Sequence, residues 1–202
     1  MNSPNDLKIG LVFSGGGFRA AAFSLGVLTY LDSIEFNGST LLEHVKVLST
    51  TSGGTITGAR YAIGIKKDES LDEIYKCLYK FMTEVDLIDL GLDRLLSNRG
   101  WDRKRIKSVI NAFSDIYDTE LFDRAKFGTL LSDENPIHLE HLSFNSTEFD
   151  NALQFRFQRT PGRGIIGNHR LRIPREVAEN IRMSDILAAS SCFPGGFEPI
   201  NF

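Results

Sequence analysis

Apolar residues along the chain come as short solid runs and as helically spaced stripes, and near the start the two forms follow one another twice. Leu7 to Phe13 is short and mostly apolar, as expected of a strand covered on both faces in a parallel sheet. Ser14-Gly15-Gly16-Gly17 breaks it, and Phe23, Val27, Tyr30 and Leu31 then return at helical spacing. Asn37-Gly38-Ser39 closes this unit as a turn. The second unit repeats the order, with Val45 to Thr50 as strand, Ser52 to Gly54 as turn and Thr55 to Ile63 as helix. Glycines at the carboxyl end of each strand predict an α/β fold, a mostly parallel central sheet flanked by helices, with its active edge at those strand ends.

Farther on, Lys66 to Phe113 reads as helical throughout. Leu71, Ile74, Leu78 and Phe81 form one apolar face, and Ile106, Val109, Ile110 and Phe113 another. Lys126 to Asn135 reads as a loop. His141 to Glu148 and Leu153 to Thr160 alternate as strands do, and Pro161-Gly162-Arg163-Gly164 is a break. Ser184 to Cys192 reads as a short helix that Asp185 helps to start, ended by Phe193-Pro194-Gly195-Gly196.

Composition bounds what this pattern builds. With 202 residues, 42% of them hydrophobic and 15 of them Phe, the chain can bury one sizeable core, so residues 1–202 are expected to form one domain. A net charge of −3 lacks the basic excess of nucleic-acid binders, and no nucleic-acid partner is expected. Cys77 and Cys192 lie far apart and read as free thiols, which suits a reducing compartment. The first ten residues show no signal peptide, and no apolar run reaches the roughly 18 residues of a membrane span. The expectation is a soluble, cytoplasmic protein. One local excess of charge stands out: Arg94, Arg99, Arg103, Lys104, Arg105 and Lys107 surround Trp101. It reads either as a surface for anionic lipid head groups, giving peripheral membrane contact, or as an ordinary solvated helix face.

The candidate chemistry sits at the two glycine turns. A serine at a strand-turn-helix junction has its hydroxyl pushed out beyond the sheet, and small neighbours such as Gly53 and Gly54 let the backbone bend that sharply. Ser52 is therefore the candidate nucleophile; the plain alternative is a helix N-cap. Gly15, Gly16 and Gly17 offer backbone N–H groups at a helix start, suited to an oxyanion or a phosphate. Arg19 either holds that loop, adds positive potential, or is a surface arginine. His44, His138, His141 and His169 fall at no metal-ligand spacing, and neither metal nor cofactor is expected.

With these residues in view, the chain resembles the patatin-like phospholipases, a family of lipid acyl hydrolases. Gly15-Gly16-Gly17-Phe18-Arg19-Ala20 resembles the family's G-G-G-x-R-G/A oxyanion segment. Thr50-Thr51-Ser52-Gly53-Gly54 resembles its G-x-S-x-G, with Thr in place of the first Gly. Asn145-Ser146-Thr147, Ala189-Ser190-Ser191 and the segment from Phe193 through Pro199 resemble the later strands and the A-S-x-x-x-P-x-x-F-x-P region. The resemblance implies a lipid or acyl-ester substrate, a phospholipase A-like esterase activity and a Ser–Asp dyad. The family's aspartate lies in a D-G-G/A motif downstream of the last block. No Asp-Gly pair occurs in this sequence, so that base is expected beyond Phe202, and residues 1–202 alone are expected to be weak or inactive. Asp150 and Asp185 match no such motif. Two other readings stand beside this one. A non-catalytic lipid-binding or regulatory module would keep the fold without the chemistry. A dinucleotide-binding domain would use Gly15-x-Gly17-x-x-Ala20, although its second strand lacks the acidic residue that holds a ribose.

Overall fold

A computed structural model of the chain describes residues 7–97, 101, 105–161, 163–193 and 195–200. The first unit runs from β1 (Ile9–Phe13) through the glycine turn into α1 (Gly17–Asp32). A two-stranded hairpin, β2 (Glu35–Phe36) and β3 (Ser39–Thr40), turns at Asn37-Gly38 as expected. One 3-10 turn at Leu41–His44 then leads into β4 (Val45–Thr51), Ser52 and α2 (Gly53–Lys66). The helices α3 (Leu71–Glu84), α4 (Leu87–Leu96) and α5 (Val109–Tyr117) follow, then a π-helical turn at Asp118–Phe122 and α6 (Phe127–Leu131). The chain returns to the sheet as β5 (His141–Glu148), β6 (Leu153–Thr160), β7 (Arg163–Gly167) and β8 (Arg172–Ile173). It ends in α7 (Arg175–Ala178) and α8 (Met183–Ser191).

The central sheet has the order β1-β4-β5-β6-β7-β8. Its parallel part is where the two glycine turns lie: β1 pairs with β4 and β4 with β5 in parallel. From β5 to β8 each pairing is antiparallel, a meander joined by short turns. One face is the core. Leu48, Thr50, Leu142, Phe144 and Phe157 are buried on it, under α2 and α8. Helix α2 is buried along residues 53–64, because other helices wrap it on the side away from the sheet. The opposite face is half-exposed among the described residues: Val12 and Val47 stand out of β1 and β4, and polar Ser49, Ser143 and Asn145 continue the row.

Several boundaries differ from the expectations. The long helical stretch 66–113 is divided, because three side chains cap new helices within it. Ser70 and Glu73 form a reciprocal capping box at α3, the Asp86 carboxylate accepts from Ile88 N and Asp89 N at α4, and Ser108 accepts from Asn111 N at α5. Ile106 lies outside any helix and is exposed. The expected loop 126–135 contains α6, whose Phe127, Leu130 and Leu131 fill the core. Arg163 and Gly164 belong to β7 rather than to a break. On α1 the buried residues are Ala21, Ser24, Leu25 and Leu28, while Phe23 and Tyr30 point outward. Both cysteines are free.

Candidate active site

Ser52 follows the last residue of β4 and precedes the first of α2, with φ 53° and ψ −120°. Positive φ in a residue with a Cβ costs on the order of 1–3 kcal/mol and persists only where the surroundings enforce it. At the N-cap of α2 a serine ordinarily accepts a hydrogen bond from the helix. Here the hydroxyl makes no capping bond and has no hydrogen-bond partner among the described residues. Its oxygen is left for another use.

The surroundings that enforce this turn come from three elements. The N–H of Ser52 donates to Ser190 Oγ at 2.8 Å. Ser190, near the end of α8, donates its own proton to the Asn145 carbonyl of β5 at 2.7 Å. Since that proton is committed, the contact of Thr55 Oγ1 with Ser190 Oγ at 2.8 Å has Thr55 as donor, and Thr50 Oγ1 in turn donates to Thr55 at 2.9 Å. A one-way chain of hydroxyls, from Thr50 through Thr55 and Ser190 to Asn145, thus clamps both sides of the bend. Asn145 itself donates to the Thr50 carbonyl at 2.9 Å. The sequence singled out Ser190 and Asn145 only as parts of matching blocks; only the fold brings them together at Ser52.

The glycine turn lies directly against the elbow. Gly54 N donates to the Ser14 carbonyl, and a Cβ added at Gly53 would sit 2.2 Å from the Gly17 carbonyl oxygen. One added at Gly54 would sit 2.6 Å from the Phe13 carbonyl oxygen, so the start of α2 tolerates only glycine at both positions. A Cβ on Gly15 would lie 3.2 Å from Ser52 Cβ and 3.7 Å from its Oγ. Gly16 (φ 142°) and Gly17 (φ 61°) carry the backbone through conformations that side chains rarely adopt. The N-termini of α1 and α2 therefore converge beside the Ser52 hydroxyl, a point that favours developing negative charge.

Thr50, where the resembling motif has glycine, is accommodated by a second glycine. Its Cγ2 would lie 2.5 Å from a Cβ at Gly58, one turn into α2. The room that the motif leaves on the strand is here left on the helix.

Arg19 is exposed, with no ion-pair partner among the described residues, and borders a cleft of about 350 Å³ together with Val12, Ser14, Gly15, Gly16 and Phe23. The histidines are elsewhere. His44 bonds Ser39 and the Leu7 carbonyl, His138 bonds Tyr61, and His141 pairs with Val47 at the far end of the strands. His169 lies in the β7–β8 turn. No group of side chains able to hold a metal occurs among the described residues. Asp185 is held by Arg105 (2.7 Å) and Arg182 (2.9 Å) at the other end of α8 from Ser190.

The basic segment around Trp101 divides. Arg99, Arg103 and Lys104 lie outside the described residues. Arg105 reaches Asp115 at 2.8 Å as well as Asp185, and Arg94 approaches Asp115 at 3.7 Å, so these two cations are turned to carboxylates. No helix among the described residues is long and apolar enough to cross a membrane.

Comparison with known proteins agrees with this fold. Among solved structures, human GIVD cytosolic phospholipase A2, determined with a methyl γ-linolenyl fluorophosphonate inhibitor and terbium chloride, has a similar fold at a TM-score of 0.61 and 15% identity. The match covers 94% of this chain and spans only 30% of the length of that one. A search of curated proteins gives no match. The family model for patatin-like phospholipases matches residues 11–202, the span that holds both glycine turns, Ser52 and Ser190, and the chain belongs to the patatin-like phospholipase family.

Proposed function

We propose that this chain supplies the nucleophile and the oxyanion-binding half of a serine lipid acyl hydrolase, a phospholipase A-like esterase. The observation that supports it best is the strained Ser52 turn, whose hydroxyl does no structural work while a clamp of four other residues holds its backbone. In this reading Ser52 Oγ attacks the acyl carbonyl carbon as its proton passes to a general base. The base is the aspartate of the family's D-G-G/A motif, which the sequence 1–202 lacks. The carbonyl oxygen, now an oxyanion, is met by backbone N–H groups of Gly15, Gly16 and Gly17 at the α1 N-terminus. Collapse expels the alcohol with the proton returned by the base and leaves an ester on Ser52, which water then hydrolyses by the same steps. Gly53 and Gly54 let the two turns touch, and Arg19 adds positive potential at the mouth.

The test is covalent labelling of the full-length protein with a fluorophosphonate ester. Ser52 is the expected site of modification, and Ser52→Ala is expected to abolish labelling and lower ester hydrolysis by several orders of magnitude. Labelling that persists in Ser52→Ala would remove this serine from the mechanism.

A further inference from the structure

The sheet carries a second charged feature, on the strands that play no part in the elbow. From Asn151 to Arg175 the chain contains six arginines, Arg156, Arg159, Arg163, Arg170, Arg172 and Arg175, and no Asp, Glu or Lys, in a protein whose net charge is −3. The antiparallel strands bring part of this run together. Arg159 is turned inward to the Leu139 carbonyl, and Arg175 pairs with Glu179. Arg156, Arg170 and Arg172 remain exposed, with no carboxylate in ion-pair reach among the described residues. Arg156 and Arg170 donate instead to neutral amides, those of Gln154 and Asn151.

Register places this patch at the reactive end of the sheet. Thr51, the neighbour of Ser52, pairs with Asn145, Asn145 with Arg156, Arg156 with Gly167, and Gly167 with Arg172. Paired residues share a face, so Arg156 and Arg172 project from the sheet's open face on either side of a glycine. They lie level with the elbow, with Arg156 roughly 10 Å across from Thr51. Strand β5 continues past Asn145 to Glu148 in the direction β4 takes toward Ser52. The β5–β6 turn therefore stands beyond the elbow, and the β7–β8 turn, with His169 and Arg170, lies at the same end. Each turn carries an outward apolar side chain: Phe149 is 69% exposed and Leu171 is 50% exposed. The two turns are tied together by the Arg170–Asn151 bond at 2.9 Å. Of the acids nearby, Glu148 has its carboxylate turned to Asp150 N, Asn151 N and the Asn151 amide, and Asp150 is exposed.

We propose that the paired β5–β6 and β7–β8 turns, with Arg156, Arg170 and Arg172 behind Phe149 and Leu171, dock the protein on an anionic lipid surface. The inference rests on the hydrolase reading only for its purpose, which is to bring the membrane to the same end of the sheet as Ser52. Two apolar tips with arginines on the strands and turn behind them match a bilayer surface, where an aromatic or aliphatic side chain enters the head-group layer and each guanidinium meets a phosphate. A nucleic acid would use the arginines but leave the apolar tips in water, and the acidic balance of the whole chain opposes it.

The experiment measures binding of the full-length protein to vesicles of phosphatidylcholine alone or with a quarter phosphatidylglycerol. Hydrolysis of a soluble short-chain ester and fluorophosphonate labelling are followed in parallel. Wild type is expected to prefer the anionic vesicles and to lose that preference with salt. Arg156→Gln, Arg170→Gln and Arg172→Gln together are expected to weaken anionic binding roughly 10²-fold, about fivefold per arginine, with soluble-ester turnover unchanged. Phe149→Ser with Leu171→Ser is expected to weaken binding to both kinds of vesicle. An unaltered anionic preference in the triple variant would overturn the proposal, as would a single-stranded oligonucleotide or millimolar inorganic phosphate displacing the vesicles. A wild type that binds by this patch but is not labelled at Ser52 would keep the docking surface and refute the hydrolase reading.

Discussion

At the scale of single residues, the resource this chain builds is one backbone conformation, φ 53° at Ser52, and the residue that holds it most directly is distant in sequence. Ser190 Oγ accepts from the Ser52 N–H and the Thr55 hydroxyl and donates to β5, so its loss takes a partner from two donors and one acceptor at once. Ser190→Ala is expected to slow fluorophosphonate labelling of Ser52 and to lower kcat by roughly 10- to 100-fold, since small misplacement of a reacting atom costs that much, with KM little altered. Ser190→Thr, which keeps the hydroxyl, is expected to restore part of the rate. Loss of thermal stability in Ser190→Ala with an unchanged labelling rate would make Ser190 structural only. The turns at Ser52 and at Gly15 to Gly17 were legible in the sequence because a turn is local. Ser190 was legible only as part of a resembling block, because its role depends on an α8–β5–β4 contact that spans 138 residues.

At the scale of elements, the packing of α2 on β4 explains the departure of Thr50 from the expected glycine. Thr50 and Gly58 share one space, with Thr50 Cγ2 2.5 Å from where a Cβ at position 58 would be. Gly58→Ala is expected to destabilise by about 1–3 kcal/mol through overpacking, despite alanine's better helix propensity. Thr50→Ser removes the offending methyl and keeps the hydroxyl chain, so the double variant is expected to recover most of that loss. A double-mutant cycle by denaturant unfolding measures the coupling, and strictly additive effects would show that the two residues do not compete for space. The helices α3, α4 and α5 show what pattern reading missed at this scale. Their caps at Ser70, Asp86 and Ser108 were visible as residue types, yet the apolar stripe on either side looked continuous. Helix α6 was missed for the converse reason: five residues are too few to show a period, and burial of Phe127 and Leu130 stabilises it.

At the scale of the whole molecule, the core imposes a pH limit through a residue outside the site. His138 is half-buried against Tyr61, hydrogen-bonded at 3.0 Å, and loss of solvation lowers its pKa from 6.5 to about 4. Between these values the unfolded chain binds a proton that the folded one refuses. The contribution is therefore complete above about pH 6.5 and is lost as pH falls toward 4, on the order of 2–3 kcal/mol. Melting temperature is expected to decline over that range in wild type and more gently in His138→Gln, whose amide can still pair with Tyr61. Parallel declines would assign the acid sensitivity to other groups. Taken alone, the order of apolar runs and glycine turns was enough to determine the α/β class, the parallel pairing of the first strands, the existence of β5 and β6 as strands, and the turn at Ser52. The strands and turns among these depend on residues within a few positions of each other, and the parallel pairing follows from two strand-turn-helix units in succession. Only the tertiary structure decided that β6, β7 and β8 extend the sheet as an antiparallel meander, that Arg94 and Arg105 turn to carboxylates while Arg156, Arg170 and Arg172 stay in solvent, and that Ser190 reaches Ser52. The physical reason is common to these: a charge or hydroxyl acquires its role from what lies across a packed interface, and sequence spacing does not record which partners burial will bring within 3 Å.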